Sequence, residues 1–424
     1  MGLKIAVVGA GSTYTPELVE GFSRRTGTLP VDELALLDPD LERLEVVAGL
    51  TRRMLDRAGV KTRLTTTKNR AEALDGASFV VIQLRVGGQA ARRVDETLPH
   101  RFGIIGQETT GPGGFAKALR TVPVVLEVAE EAARRCTPDA WIVNFTNPVG
   151  IVTQALVDSG ARALGLCNVA IGLQRRLAAH WDVAPERVSL EHVGLNHLTW
   201  VRAAMVDGVD RLPDLLGRER DEVAQEVGLP AGLLERLGAI PSYYLRYYYC
   251  RDEVLAEQLA GRPRAEDVME IERELLAMYR DPSLNEKPSL LERRGGAFYS
   301  EAAAQLIESL HSDRGDVQVV NVRNNGALPG IDADAIVEIP ARIDRAGAHP
   351  LPLAPLAPEM KGLVLAVKAY EDLAVLAAIR GDRALAEKAL LAHPLVGRYE
   401  LATRLMDALL DANRNYLPRF SGAR

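Results

Sequence analysis

Between residues 3 and 168, five short apolar runs alternate with stretches of helical periodicity, and that alternation restricts the fold more than any other feature of the chain. The runs are "LKIAVVGA" (3–10), "ELALLD" (33–38), "SFVVIQL" (78–84), "AWIVNF" (140–145) and "ALGLCN" (163–168), with helical patterns between them such as "TVPVVLEVAEEAARR" at 121–135. Strands separated by helices pair in parallel, and runs this uniformly apolar belong to a sheet covered on both faces. The reading is an α/β fold with a doubly wound N-terminal sheet of nucleotide-binding type.

The second half changes character. Alternating strand patterns in "VSLEHVGLNHLTWVRAAMVDG" follow Arg187, then helical segments occupy about 242–311, and "DVQVVNVRNNGALPGIDADAIVEIPARI" fills 316–343. The Pro-rich "HPLPLAPLAP" leads into C-terminal helices from about Glu359 to Asn415. A two-domain plan follows: residues 1–190 for the dinucleotide-binding sheet, 191–424 for an α+β substrate-binding and oligomerisation domain.

Composition narrows the partners. With 51 basic and 57 acidic side chains the net charge is -6, which supplies no general field for nucleic acid, so an anion site has to be built from a few chosen residues. The N-terminus shows no signal-peptide pattern. The apolar segment "LVLAVKAYEDLAVLAAI" is broken by Lys368, Glu371 and Asp372 and reads as a core helix, not a membrane span. Three scattered cysteines, Cys136, Cys167 and Cys250, give no disulfide framework. A cytoplasmic protein with a small-molecule partner is expected.

Three stretches carry chemistry. In "VVGAGSTYTPELVEG", Gly9 and Gly11 follow a strand and precede a helix, the arrangement that lets backbone N–H groups approach a pyrophosphate; Ser12 and Thr13 continue the loop. Position 14, the usual third glycine, is Tyr14. Asp38 closes the second strand at the spacing of a carboxylate that binds ribose hydroxyls, which favours NAD over NADP. A glycine turn with a turn-forming Asp accounts for the same residues without a cofactor. Cys167 and His197 stand thirty residues apart at strand-like sites; a buried thiol and a satisfied core histidine are the plain explanation, and a shared metal with open positions the functional one. In "PSYYLRYYYCRDE" most of the five tyrosines between 243 and 249 are packing residues, although one beside a cation could serve as a base.

Taken in order, "VVGAGSTYTPELVEG", "RVGGQAARRVDETLPHRFGIIGQETTGPGG", "NFTNPVGIV", "LCN", "GLNHLTW", "YLRYYY", "RPRAEDV" and "NVRNNGALPGIDADAIVEIP" resemble glycoside hydrolase family four along nearly the whole chain. The resemblance implies the two-domain plan of lactate and malate dehydrogenases, NAD as a recycled cofactor, and a divalent metal, usually Mn2+, on Cys167 and His197. It gives Tyr244 as catalytic base and Arg92, Asn147, Asn168 and Arg264 as substrate contacts. The implied reaction hydrolyses 6-phospho-β-glucosides by oxidation at C3, deprotonation at C2, elimination at C1, water addition and re-reduction, in place of the usual two carboxylates. The substrate would be a phosphorylated disaccharide or aryl glucoside, and the protein a homodimer or homotetramer.

The β preference hangs on Asn168. Members acting on 6-phospho-α-glucosides tend to carry Asp after the cysteine, and an amide cannot protonate a leaving group. Asn168 as a plain hydroxyl contact is the alternative. The run "GALPGIDADAIVEIP" departs from many relatives, and some members take unphosphorylated glycosides. A 2-hydroxy acid dehydrogenase and a non-catalytic NAD sensor complete the competing readings.

Overall fold

The computed structural model describes residues 2–295 and 298–421. Six strands, β1 (Leu3–Val8), β2 (Val31–Leu37), β3 (Arg63–Thr67), β4 (Phe79–Ile82), β5 (Trp141–Asn144) and β6 (Ala163–Gly165), pair in parallel in the order 3-2-1-4-5-6. This is the doubly wound dinucleotide-binding order, with its switch point between β1 and β4. Ile5, Ala6 and Val7 are fully buried, as are Val80, Val81 and Ile82; consecutive buried residues mean that both faces of the sheet are covered.

The expected strands β1, β4 and β5 lie within the runs read from the sequence, and β2 overlaps its run but begins two residues earlier, at Val31. β3 was not anticipated. Its "RLTTT" is polar and only partly buried, because it is an edge strand and carries little of the apolar signal that marks the sheet centre. The run at 163–168 is strand only to Gly165, so Cys167 and Asn168 fall beyond it: Cys167 occupies the N-cap of the helix Asn168–His180. The helix expected over 121–135 starts ten residues earlier, at Gly111. Pro112 falls in its first helical turn, where the missing N–H costs nothing.

After the sixth strand the chain builds an antiparallel unit: β7 (Val188–Leu195), β8 (Leu198–Val206), β9 (Val209–Asp210) and β10 (Ile240–Pro241). β11 (Asp316–Arg323), β12 (Ile336–Asp344) and β13 (Gly347–Pro350) then return to the first sheet, with β11 antiparallel to β6 at Asn321 and Gly165. The result is one sheet of nine strands in the order 13-12-11-6-5-4-1-2-3. The chain on either side of residue 190 therefore shares a single sheet. The helix Pro358–Arg380 packs its Val364, Val367, Ala374 and Ala378 into the core as expected, and no described helix is long and apolar enough to cross a membrane.

Candidate active site

A cleft of about 1600 Å³ runs along the C-terminal ends of the parallel strands. Gly9 and Gly11 after β1, Asp38 after β2, Gln83 to Val86 after β4, Asn147 after β5 and Asn168 beyond β6 all line it. Strand topology alone places the crevice here, where the winding direction reverses.

At one end lies a backbone cradle. Gly9 has φ +86, and a Cβ there would stand 2.7 Å from Leu84 Cα, so no other residue fits without displacing the β4 loop. Gly11 N–H donates to Asp38 Oδ2 at 2.9 Å, and Asp40 N–H donates to Oδ1 at 3.0 Å. Burial raises the Asp38 carboxyl above its ordinary value, and these two N–H groups oppose the rise. Ser12 lines the cleft. Thr13 does not: it is fully buried, and its carbonyl accepts the Tyr279 hydroxyl at 2.8 Å. Tyr14, in place of a third glycine, puts its ring in the cleft wall beneath Arg294, whose Cζ is 4.9 Å from the ring centroid. The glycine cradle and the carboxylate at the end of β2 fit a dinucleotide pyrophosphate and ribose.

At the other end the cleft is cationic. Arg92, on the helix Gly88–Thr97, places Nε 2.7 Å from Glu96 Oε1 and 3.2 Å from Glu108 Oε1. Glu108 also receives Lys117 Nζ at 2.6 Å and pairs with Arg85. Burial opposes ionisation of Glu108, but Arg85, Lys117 and Arg92 hold it well below the usual carboxylate range. Burial, with Arg85 adding repulsion, pushes Lys117 down to about 7. The second oxygen of Glu96 accepts Ala265 N–H at 2.7 Å. One carboxylate thus ties Arg92 to the start of the helix Arg264–Tyr279, and both arginines reach the same cleft. Asn147 lines it too, and its buried Oδ1 has no hydrogen-bond partner.

Tyr244 sits in a short 3-10 turn, Tyr243–Leu245, and not on the regular helix that the spacing of the tyrosines suggested. It lines the cleft, whereas Tyr243 does not. Its ring lies flat on His197, centroids 3.5 Å apart and planes 7° from parallel. Burial first, and the Cys167 charge second, push the Tyr244 phenol well above its ordinary value; Arg92 works in the opposite direction.

His197 is delivered by the two-residue turn between β7 and β8, at φ +62, a left-handed conformation that His tolerates better than most residues. Its Nδ1 is 2.8 Å from Thr109 Oγ1. Burial lowers its pKa to about 4, so it is a neutral imidazole at pH 7. The Cys167 thiol is buried, and burial raises its pKa, with the Glu338 charge adding to the rise; Val169 N–H, Asn196 and Tyr299 counter it. Glu338 acts on both Cys167 and His197, which places thiol and imidazole in one neighbourhood behind Tyr244. Among the described residues no group of three or more His, Cys, Asp or Glu forms a complete metal site. One thiol and one imidazole suit a cation that takes its remaining ligands from water and substrate.

Two residues of the site escaped the sequence reading. Glu108 lies in the quoted block "IIGQETTGPGG" without any local pattern to mark it. Glu338, held by His192 Nε2 at 3.0 Å, Asn196 Nδ2 at 2.7 Å and Asn321 Nδ2 at 3.1 Å, did leave a signal: an acid amid the otherwise apolar strand "IVEIP".

The sequence profile described as "Family 4 glycosyl hydrolase" matches residues 4–183, and that of the "Family 4 glycosyl hydrolase C-terminal domain" matches residues 192–396. A probable 6-phospho-beta-glucosidase of Bacillus subtilis (strain 168) is 42% identical over 99% of this chain and 98% of its own. A 6-phospho-beta-glucosidase of Escherichia coli (strain K12) is 37% identical over 99% and 97%. The structure of the 6-phospho-beta glucosidase from Thermotoga maritima with manganese, NAD+ and glucose-6-phosphate superposes with a TM-score of 0.92 at 36% identity, covering 98% of this chain and 99% of that one.

Proposed function

The chain belongs to family 4 of the glycosyl hydrolases, and from that premise we propose that it hydrolyses 6-phospho-β-glucosides to glucose 6-phosphate and the free aglycone. NAD and a divalent cation, Mn2+ by analogy with the Thermotoga maritima structure, serve as cofactors. The observation that carries this reading is the continuity of the cleft: the glycine cradle and Asp38 open directly onto Arg92, Asn147, Tyr244 and Arg264. A dinucleotide arm and a sugar arm share one space.

When bound, NAD provides reversible oxidation at C3 of the sugar, and the cation, held by Cys167 and His197, polarises the oxygens on C2 and C3. The protein's own residues do the remaining work. Arg92 and Arg264 hold the 6-phosphate with charge-assisted hydrogen bonds and so fix the ring in the cleft. Asn147, at the cleft wall, holds a hydroxyl of the sugar through its amide. Once C3 is a ketone, the C2 hydrogen is acidic, and Tyr244 removes it as a phenolate, a state that Arg92 favours against burial. The C1 substituent leaves with the bonding pair as the C1–C2 double bond forms. Water then adds its hydroxyl at C1 and its other proton balances the one taken up by the departing oxyanion from solvent; Tyr244 returns the proton to C2, and C3 is reduced again, so no net oxidation occurs. Asn168 supplies no acid to the leaving group, in keeping with β substrates.

The test is release of p-nitrophenol from its 6-phospho-β-glucoside and 6-phospho-α-glucoside, under reductant, with NAD+ and Mn2+ added singly and together. Turnover of the β substrate only when both are present, without NADH accumulation, is the expected result. Turnover of the α substrate alone overturns the anomer. Inactivity on both, with NADH formed from a 2-hydroxy acid, replaces the reading by a dehydrogenase.

A further inference from the structure

Glu272 lies in the middle of the helix Arg264–Tyr279, lines the cleft and is only 6% exposed. The chemistry proposed above gives it nothing to do, yet its two oxygens collect side chains from three other segments. Oε2 accepts Arg43 Nη2 at 3.0 Å, while Oε1 accepts Gln89 Nε2 at 2.9 Å and both Nε and Nη2 of Arg294, at 3.1 and 2.9 Å. Burial opposes its ionisation, but Arg294 and Arg43 hold the carboxyl below its ordinary value. These are therefore charge-assisted bonds made in a site with little water.

The partners belong to different arms of the cleft. Arg43 Nε donates to the Gly11 carbonyl at 2.6 Å, so one side of Glu272 ends on the glycine cradle. Gln89 stands on the helix Gly88–Thr97, three residues before Arg92 and so on the same side of that helix. Arg264 and Glu272 are eight residues apart, a little over two turns, and share a side of their own helix. At the end of that helix the Tyr279 hydroxyl meets the Thr13 carbonyl. The helix that starts at the sugar contact Arg264 is thus tied to the glycine loop at its middle and its end, and at Glu272 the same carboxylate also grips the helix of Arg92.

We propose that Glu272 is a positioning residue that registers the dinucleotide arm on the sugar arm, so that cofactor and sugar phosphate each bind more tightly with the other in place. The inference rests on the hydrolase reading above. A carboxylate shared among Arg43, Gln89 and Arg294 has one arrangement that satisfies all three. A pyrophosphate on the cradle and a phosphate on Arg92 and Arg264 both favour that arrangement, so either ligand spares the other the cost of selecting it. Glu272 acts through Arg43 and Gln89, not on a reacting atom.

The experiment measures binding of ADP-ribose by calorimetry with and without saturating glucose 6-phosphate, Mn2+ and reductant being present throughout. ADP-ribose lacks the nicotinamide and its direct contact with the sugar, so coupling has to pass through the protein. Wild type should bind ADP-ribose about fivefold or more tightly when glucose 6-phosphate is present, and glucose 6-phosphate should gain by the same factor. In Glu272→Gln, which keeps the size of the side chain and loses its charge, the factor should fall below about twofold. Arg43→Met, which cuts the path to Gly11, should lose the coupling as well. Arg93→Met removes a surface tie between the same two helices, Arg93 Nε to Glu266 Oε1 at 2.7 Å, and should keep it. A merely structural role lowers both affinities and leaves their ratio unchanged. An unchanged ratio in whichever of Glu272→Gln and Arg43→Met melts like wild type, loss of coupling in Arg93→Met, or no coupling in wild type overturns the inference and leaves the hydrolase reading intact. Failure of wild type to bind either ligand overturns both.

Discussion

Tyr244→Phe separates the proposed chemistry from packing more cleanly than any other substitution in the cleft. The Tyr244 ring stacks on His197 and meets Tyr243 and Tyr247 at centroid distances of 6.0 and 6.2 Å. Phenylalanine keeps all of these contacts and loses only the hydroxyl. The melting transition should therefore shift by no more than the effect of about 1 kcal/mol. A general base contributes about 10²- to 10⁴-fold to rate, or about 2.7–5.5 kcal/mol of barrier. The expected result is a kcat lower by that factor at saturating NAD+ and Mn2+, with the affinity for both cofactors unchanged by calorimetry. A more direct assay follows the C2 hydrogen: wild type should exchange it for deuterium when incubated with glucose 6-phosphate and both cofactors in heavy water, and Tyr244→Phe should not. Exchange by the variant within about tenfold of wild type would refute the assignment of Tyr244 as base. Tyr243→Phe, outside the cleft, should exchange normally.

Gly9→Ala should weaken NAD+ binding at least about tenfold in a fluorescence titration, because φ +86 alone costs a side chain about 1–2 kcal/mol and the new Cβ would press on Leu84. Cys167→Ala removes one of the two protein donors proposed for the cation, so Mn2+ affinity, read from the free-ion paramagnetic signal, should fall about a hundredfold or more. Burial raises the Glu371 carboxyl from 4.5 to about 7, with Lys368 opposing. A carboxyl that binds its proton more tightly when folded gives a contribution that is full below pH 4.5 and lost as pH rises through 7, up to about 3 kcal/mol. Chemical denaturation between pH 5 and 8 should show that decline in wild type and a flatter profile in Glu371→Gln.

The central strands and the glycine loop were legible because burial on both faces writes itself as consecutive apolar residues. Edge strand β3 was not, since half of it faces water. Local pattern named Cys167 and His197 as candidates, but their shared neighbourhood depends on a hairpin turn and on Glu338 from a strand more than a hundred residues later. Glu108 had no local signature at all. Its meaning comes from Arg85, Arg92 and Lys117, which approach from three separate segments. Charge networks of this kind are properties of tertiary packing, and a window of sequence does not contain them.

The junction of β11 with β6 has a consequence for how this chain can be divided. Gly165 faces Asn321 across it, and a Cβ at Gly165 would come within 2.9 Å of Asn321 Cβ and 2.3 Å of Thr153 Oγ1. A fragment ending near residue 190 would keep the dinucleotide cradle but bare the β6 edge, a row of unpaired backbone groups ready to recruit another chain. The fragment beginning there would carry Glu338 and His197 with no thiol beside them. Although two sequence profiles meet near that point, the seam is a boundary of description only. Expressed separately, the halves are expected to aggregate, and mixing them is the way to bring Cys167 back beside His197, which neither half can do alone.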